Sequence, residues 1–341
     1  MARSASSPPL PRSRLVAGLG FVVAAIAPGL AASPTAASPS ALWEGAATDA
    51  EASARALRYE TAMHTGHELG KAAMAEGGRG GEPLSPGLRI TISNRALQAF
   101  RDAAAADPTQ ADPHYYMALL LVQTRLDCRS CSFDEKVAAD AVQAIDDFEA
   151  RSPLDPRISP WLVTKRAILH TRLAGAGRTL SRPHLEAALA DYRTLIDRRS
   201  SERADSEVVY GNMAETLMML GDLDGAIEQY RNSLRVRRSS SNTLGLAVAL
   251  DRDERGTEAR TLIRDLGRNE LDLWTFSVIS GDTFYVPDGE EFYYRALIAE
   301  ATGDRTGAIE NYDRFLKSGA HPRFAARATA NRDALRGSKR R

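Results

Sequence analysis

The sequence predicts an all-α fold, an α-solenoid of about six stacked helical hairpins closed by a C-terminal capping helix. Three observations predict it. Apolar residues recur at i, i+3, i+4 and i+7 along 208–220 and again along 223–236, the stripes of two amphipathic helices. Gly221-Asp222 stands between them as a tight break, because glycine reaches the left-handed conformation that ends a helix. The same order returns downstream, where Gly303-Asp304 is followed by Ala308, Tyr312 and Leu316. Aromatic residues make up only 6% of the 341, which argues against a sandwich or barrel with an aromatic core.

The chain opens on Arg3, Arg12 and Arg14 with no acid among them, and then runs apolar from Leu15 to Ala27 until Pro28. Small residues follow at 29–31 and 35–37. Basic, apolar, then small is the pattern of a secretory signal, expected over 1–31. The run is shorter than the roughly 20 residues a membrane crossing takes. The expected location is therefore the periplasm or the extracellular medium; an uncleaved signal anchoring the protein in the inner membrane is the alternative. The Ser/Pro/Ala-rich stretch 32–47 reads as a flexible leader. No apolar run elsewhere in the chain is long enough to span a bilayer either, so no membrane insertion is expected after cleavage.

Helical repeats are expected over 48–336. The first helix covers 48–75, and the glycine-rich loop Gly77–Gly87 separates it from 88–106. The next pair is 111–123 with Phe133–Arg151, whose start is marked by Ser132 and Glu135 in a capping-box spacing. Trp161–Leu173 pairs with Leu185–Arg198, then 207–240 forms one full hairpin, and Leu244–Asp251 pairs with Thr257–Leu266. The insertion 268–288 breaks the rhythm. It is rich in β-branched and aromatic residues around Ser280-Gly281-Asp282, a hairpin-like turn signal, and reads either as a binding flap or as a packed connector. The last hairpin covers 289–322, Arg323–Leu335 is the capping helix, and 337–341 is a basic tail.

The unit Glu207–Ser240 resembles the tetratricopeptide repeat. The residues that carry the resemblance are Tyr210, Met213, Ala214, Leu217, Gly221, Ala226, Tyr230 and Leu234. Phe292, Ala296, Gly303, Ala308 and Tyr312 repeat the pattern, and Ala96, Phe100, Ala103 and Pro108 match a second helix and its stop. Arg238 stands in place of the usual terminal proline and Arg295 in place of a leucine. The resemblance implies a right-handed superhelix whose concave face, lined by first helices, binds a protein or peptide. Carried onto this chain, that face holds Asp112, Tyr115, Leu119, Val122 and Gln123, then Val208, Gly211, Glu215, Met218 and Met219, then Tyr293, Leu297 and Glu300. The family's grip on C-terminal carboxylates is not implied, because Gly211 and Glu215 replace the lysine and asparagine it uses.

Cys128 and Cys131 form the one C-x-x-C, on a loop between helices. In an exported protein the expected outcome is a local disulfide; a redox-active pair is the alternative. His64 and His67 share a helix face but have no third ligand in sequence, so both read as solvated or packing residues. His114 stands where the repeat expects an aromatic, and acidic pairs such as Asp146-Asp147 and Glu290-Glu291 read as ordinary residues of helix starts and solvated faces. No phosphate-binding glycine loop, nucleophile elbow or zinc-protease motif occurs. Lysine plus arginine equals aspartate plus glutamate at 44 each, which leaves no basic excess for nucleic acid. The sequence thus points to a non-catalytic exported scaffold or adaptor with no cofactor and no metal, with a redox or enzyme-accessory role for the Cys128–Cys131 loop as the alternative.

Overall fold

The computed structural model describes residues 39–75, 84–126, 133–175, 180–197, 206–280 and 286–337. By packing, the chain divides into Met1–Ala50 and Glu51–Arg341. In the first unit the described residues are the opening turns of helix α1 (Pro39–Met74). The stretch expected as a leader over 32–47 is therefore helical from Pro39 onward. Proline suits a first helical position, and the Ala/Glu-rich sequence behind it favours helix. The signal at 1–31, the Cys128–Cys131 loop and the tail at 338–341 lie outside the described residues.

Among the described residues all regular structure is helical. After α1 come α2 (Pro86–Ala106), α3 (Asp112–Leu121), α4 (Glu135–Arg151), α5 (Pro160–Gly175), α6 (Arg182–Asp197) and α7 (Ser206–Leu220). They are followed by α8 (Leu223–Val236), α9 (Ser240–Arg252), α10 (Gly256–Arg264), α11 (Arg268–Ser280), α12 (Glu291–Thr302), α13 (Arg305–Ser318) and α14 (Ala325–Gly337). Most pack on a neighbour in the chain. The closest pairs are α3 with α4, α5 with α6, α7 with α8, α9 with α10 and α12 with α13. Caps fix several starts: Ser85 for α2, Asp134 for α4, Asp222 for α8, Ser239 for α9 and Asp304 for α13 each accept from a backbone N–H. Helix α4 thus begins at Glu135 under Asp134 rather than at the expected Ser132.

Three turns share one geometry. At Gly221, Glu254 and Gly303 the backbone enters the left-handed region, with φ of 81°, 61° and 86°. In each, two bonds close the preceding helix. Asp222 N–H reaches Leu217 O at 3.0 Å, Arg255 N–H reaches Leu250 O at 2.8 Å, and Asp304 N–H reaches Ala299 O at 2.8 Å. The left-handed residue itself bonds to Met218, Asp251 or Glu300. This paired closure satisfies the last carbonyls of a helix. Around each turn the same positions are buried. Seven residues before stand Ala214, Ala247 and Ala296; five after stand Ala226, Ala259 and Ala308; nine after stand Tyr230, Ile263 and Tyr312, all with 0% exposure. The alanines let the paired helices approach, and the larger residues fill the space beside them.

The largest core runs from α3 through α14, and a second gathers Met63, Phe100, Leu120, Val137 and Val142 from α1 to α4. The insertion expected around a hairpin-like turn is helical over 268–280. Leu271 and Trp274 of α11 are buried in the main core, and Trp274 stacks on Tyr294 at 5.2 Å between ring centroids. Aromatic residues pack on helix faces as readily as on sheets, and here burial of Leu271 and Trp274, three residues apart on one helix face, overrides the short apolar/polar alternation over 274–278. The turn residues 281–285 lie outside the described residues.

Candidate functional site

The densest concentration of polar chemistry is inside the C-terminal half. On α7, Glu215 is buried, and one of its oxygens, Oε2, accepts from the phenols of Tyr230 on α8 (2.7 Å) and Tyr294 on α12 (3.1 Å). Burial pushes its carboxyl up to about 7, only partly offset by the bond from Tyr230. At the penultimate position of α9, Asp251 accepts from Tyr293 Oη at 2.6 Å, Arg327 Nη2 at 2.9 Å and Asn331 Nδ2 at 2.8 Å. Beside it, Arg252 pairs with Glu290, and Glu290 Oε1 meets His321 Nδ1 at 2.6 Å. Burial alone would raise the Glu290 carboxyl, but Arg252 and His321 hold it below the usual range. The Arg252 guanidinium also lies over the rings of Tyr293 (4.6 Å) and Phe324 (4.2 Å), so aromatic faces cover the cation.

These bonds tie α7, α8, α9, α12 and α14 together from within. A buried charge is tolerated only when paired and hydrogen-bonded. Here the acids accept from phenols, amides and cations, which leaves them engaged rather than presented to a substrate. His321 stands at the edge of a cavity of about 420 Å³, lined also by Leu185, Met219, Pro287 and Arg323. Across that cavity Arg323 Nη1 donates to Leu220 O at 2.8 Å and caps the carboxyl end of α7.

The residues expected on a ligand-facing surface divide sharply. Tyr115, Leu119, Asp112 and Glu300 are half-buried, and Gln123 and Val208 are exposed. Val122, Glu215, Met218, Met219, Tyr293 and Leu297 are buried, as is Gly211. These side chains are enclosed within the fold rather than presented on an exposed surface. Val122 turns inward because α3 runs on into one π-helical turn over Val122–Leu126. Met218, Tyr293 and Leu297 are covered because α9 is buried on every side and α11 packs against both α9 and α12.

Glu290, expected as an ordinary residue of a helix start or solvated face, is instead the buried partner of Arg252. The sequence signal was present: Asp251 and Arg252 end an otherwise apolar helix, Leu244–Leu250, where an acid and a base must find partners indoors. His64 is exposed, whereas His67 packs edge-on against Phe100 and Tyr116. His114 is buried, and burial lowers its pKa. Among the described residues no three His, Cys, Asp or Glu side chains gather to hold a metal ion. Compared with known protein families and with curated proteins, the chain finds no match.

Proposed function

We propose that this chain is a non-catalytic, exported scaffold of the tetratricopeptide type, about six hairpins stacked in a solenoid, that holds a protein or peptide partner. The observation that carries this reading is the recurring turn at Gly221, Glu254 and Gly303, each flanked by fully buried residues at matching positions. A hairpin repeated in this way cannot bury its faces alone and stacks on its neighbours. A protein of that kind works by the surface of its first helices. The contact face left open on them holds Tyr115, Leu119, Gln123 and Val208, joined by Trp161 in the first turn of α5, which is 39% exposed. Half-exposed aromatic and aliphatic side chains on rigid helices suit partner binding at low entropic cost.

The test is site-specific photo-crosslinking in the native cell envelope. A photoreactive residue at 115, 119 or 208 is expected to capture one discrete partner species. The same residue at Glu228 or Glu310, exposed on second helices, is expected to capture none. Equal capture at both sets, or none at either, overturns the first-helix face. Disulfide-exchange activity that disappears with Cys128→Ser would favour the redox alternative.

A further inference from the structure

We propose that His170 and His184 form a binding site for one divalent transition-metal ion of the imidazole-preferring class. His170 lies on α5 and His184 in the first turn of α6, and their Nδ1 atoms face each other at 3.0 Å. The rings tilt by 37° with centroids 5.2 Å apart. Two N–H groups cannot face each other at that distance, so at least one ring presents a lone pair between them. Two metal–nitrogen bonds of about 2.1 Å meeting at a right angle place their donors about 3.0 Å apart, the cis arrangement of a square-planar or octahedral ion. For the ion to enter, the proton on the donating Nδ1 moves to Nε2 of the same ring, a change of tautomer with no change of charge.

The setting favours such an ion. Helices α5 and α6 are a closely packed pair, so the two rings are held without loop ordering. Both histidines are half-exposed, which leaves open coordination positions to water. The cation one turn before His170, Arg166, is tied to Asp191 (2.7 Å), Asp146 (2.8 Å) and Glu149 (2.6 Å), so its charge is more than balanced. Arg182, two residues before His184 at the start of α6, pairs with Glu186. No third protein ligand completes the set among the described residues.

Titration calorimetry of Ni²⁺ into the metal-free full-length chain tests the site. One-to-one binding is expected. His170→Ala and His184→Ala should each weaken it by about tenfold or more, since loss of a mere supporting partner already costs 10–100-fold. His64→Ala and a Cys128→Ser/Cys131→Ser chain should bind like wild type. Circular dichroism of each metal-free variant checks folding, and His184→Gln replaces any alanine variant that fails. Copper bound to the wild type should show two nitrogen couplings in its electron paramagnetic resonance spectrum. Absence of one-to-one binding, unchanged binding in folded His170 and His184 variants, or loss with the cysteines instead would each overturn the proposal.

Discussion

The phenol of Tyr230 donates to Glu215 at 2.7 Å across one hairpin, and Tyr294 reaches the same oxygen at 3.1 Å from α12. A single buried carboxyl thus joins two hairpins. Because burial raises its pKa to about 7, the native state holds a proton there that the unfolded chain, at 4.5, has released. Stability contributed by this group is complete below pH 4.5 and declines as pH rises toward 7, by on the order of 3 kcal/mol. Glu215→Gln, which stays neutral and still accepts from a phenol, should flatten that decline and raise stability at pH 8. Chemical denaturation at pH 5 and pH 8 checks it; a decline unchanged in the variant would show that the carboxyl is not its source.

The pair Arg252–Glu290 carries the opposite sign. The Glu290 carboxyl is held below its ordinary 4.5, so its contribution is present above that pH and is lost in acid. Glu290→Gln leaves Arg252 buried without its counter-charge and should cost about 3–5 kcal/mol near neutral pH. The double variant Arg252→Met/Glu290→Met should cost much less than the two single changes added, because both charges leave together. Additive losses in urea unfolding would mean that the two side chains do not act as a pair.

The three left-handed turns separate backbone strain from crowding. At Gly303 an added Cβ meets nothing within 4 Å, so Gly303→Ala should cost only the strain, about 1–2 kcal/mol. At Gly221 the added carbon collides with the Arg323 guanidinium, so Gly221→Ala should cost more and also disturb the cap on α7. Glu254 already bears that strain, and Glu254→Gly should stabilise by about 1 kcal/mol. Thermal unfolding of the three variants gives the order directly. Equal losses at 221 and 303 would remove Arg323 from the account.

Paired helices and their Gly-Asp breaks were readable because local rules govern them: periodicity, a left-handed glycine, an aspartate cap. Ala226, Tyr230, Ala308 and Tyr312 lie inside as their spacing implies. The turn at Glu254 was harder, since glutamate does not advertise a positive φ and Arg255 provides no side-chain cap. Which first-helix positions stay exposed was legible only in part. Helical periodicity marks which side of α7 or α12 is apolar, but it cannot say that α9 and α11 come to lie over the other side. Met218 and Tyr293 are covered by elements distant in the chain, and Glu215 and Glu290 find partners 79 and 31 residues away. Such long-range closure leaves no local trace beyond acids and bases placed in apolar helices.

That difference between covered and open positions yields the last test. Met218 and Tyr293 are both fully buried, so Met218→Ala and Tyr293→Ala should act on stability, at about 2–5 kcal/mol each. Tyr293→Ala also leaves Asp251 short of one donor, which adds to its cost. Tyr115 is half-buried beside Phe148 and under the Arg157 guanidinium at 4.8 Å, so its ring is partly anchored and partly free. Tyr115→Ala should lose about 1–2 kcal/mol of partner affinity. Leu119→Ala should show a smaller loss of the same kind, and Val208→Ala, exposed on α7, should change stability little. Melting temperatures and partner capture measured on the same preparations separate the two classes. If Met218→Ala and Tyr293→Ala keep wild-type stability but lose capture, the buried set is the contact face after all. If Tyr115→Ala and Leu119→Ala keep full capture at unchanged stability, α3 takes no part in binding, and the contact lies nearer Trp161 and Val208.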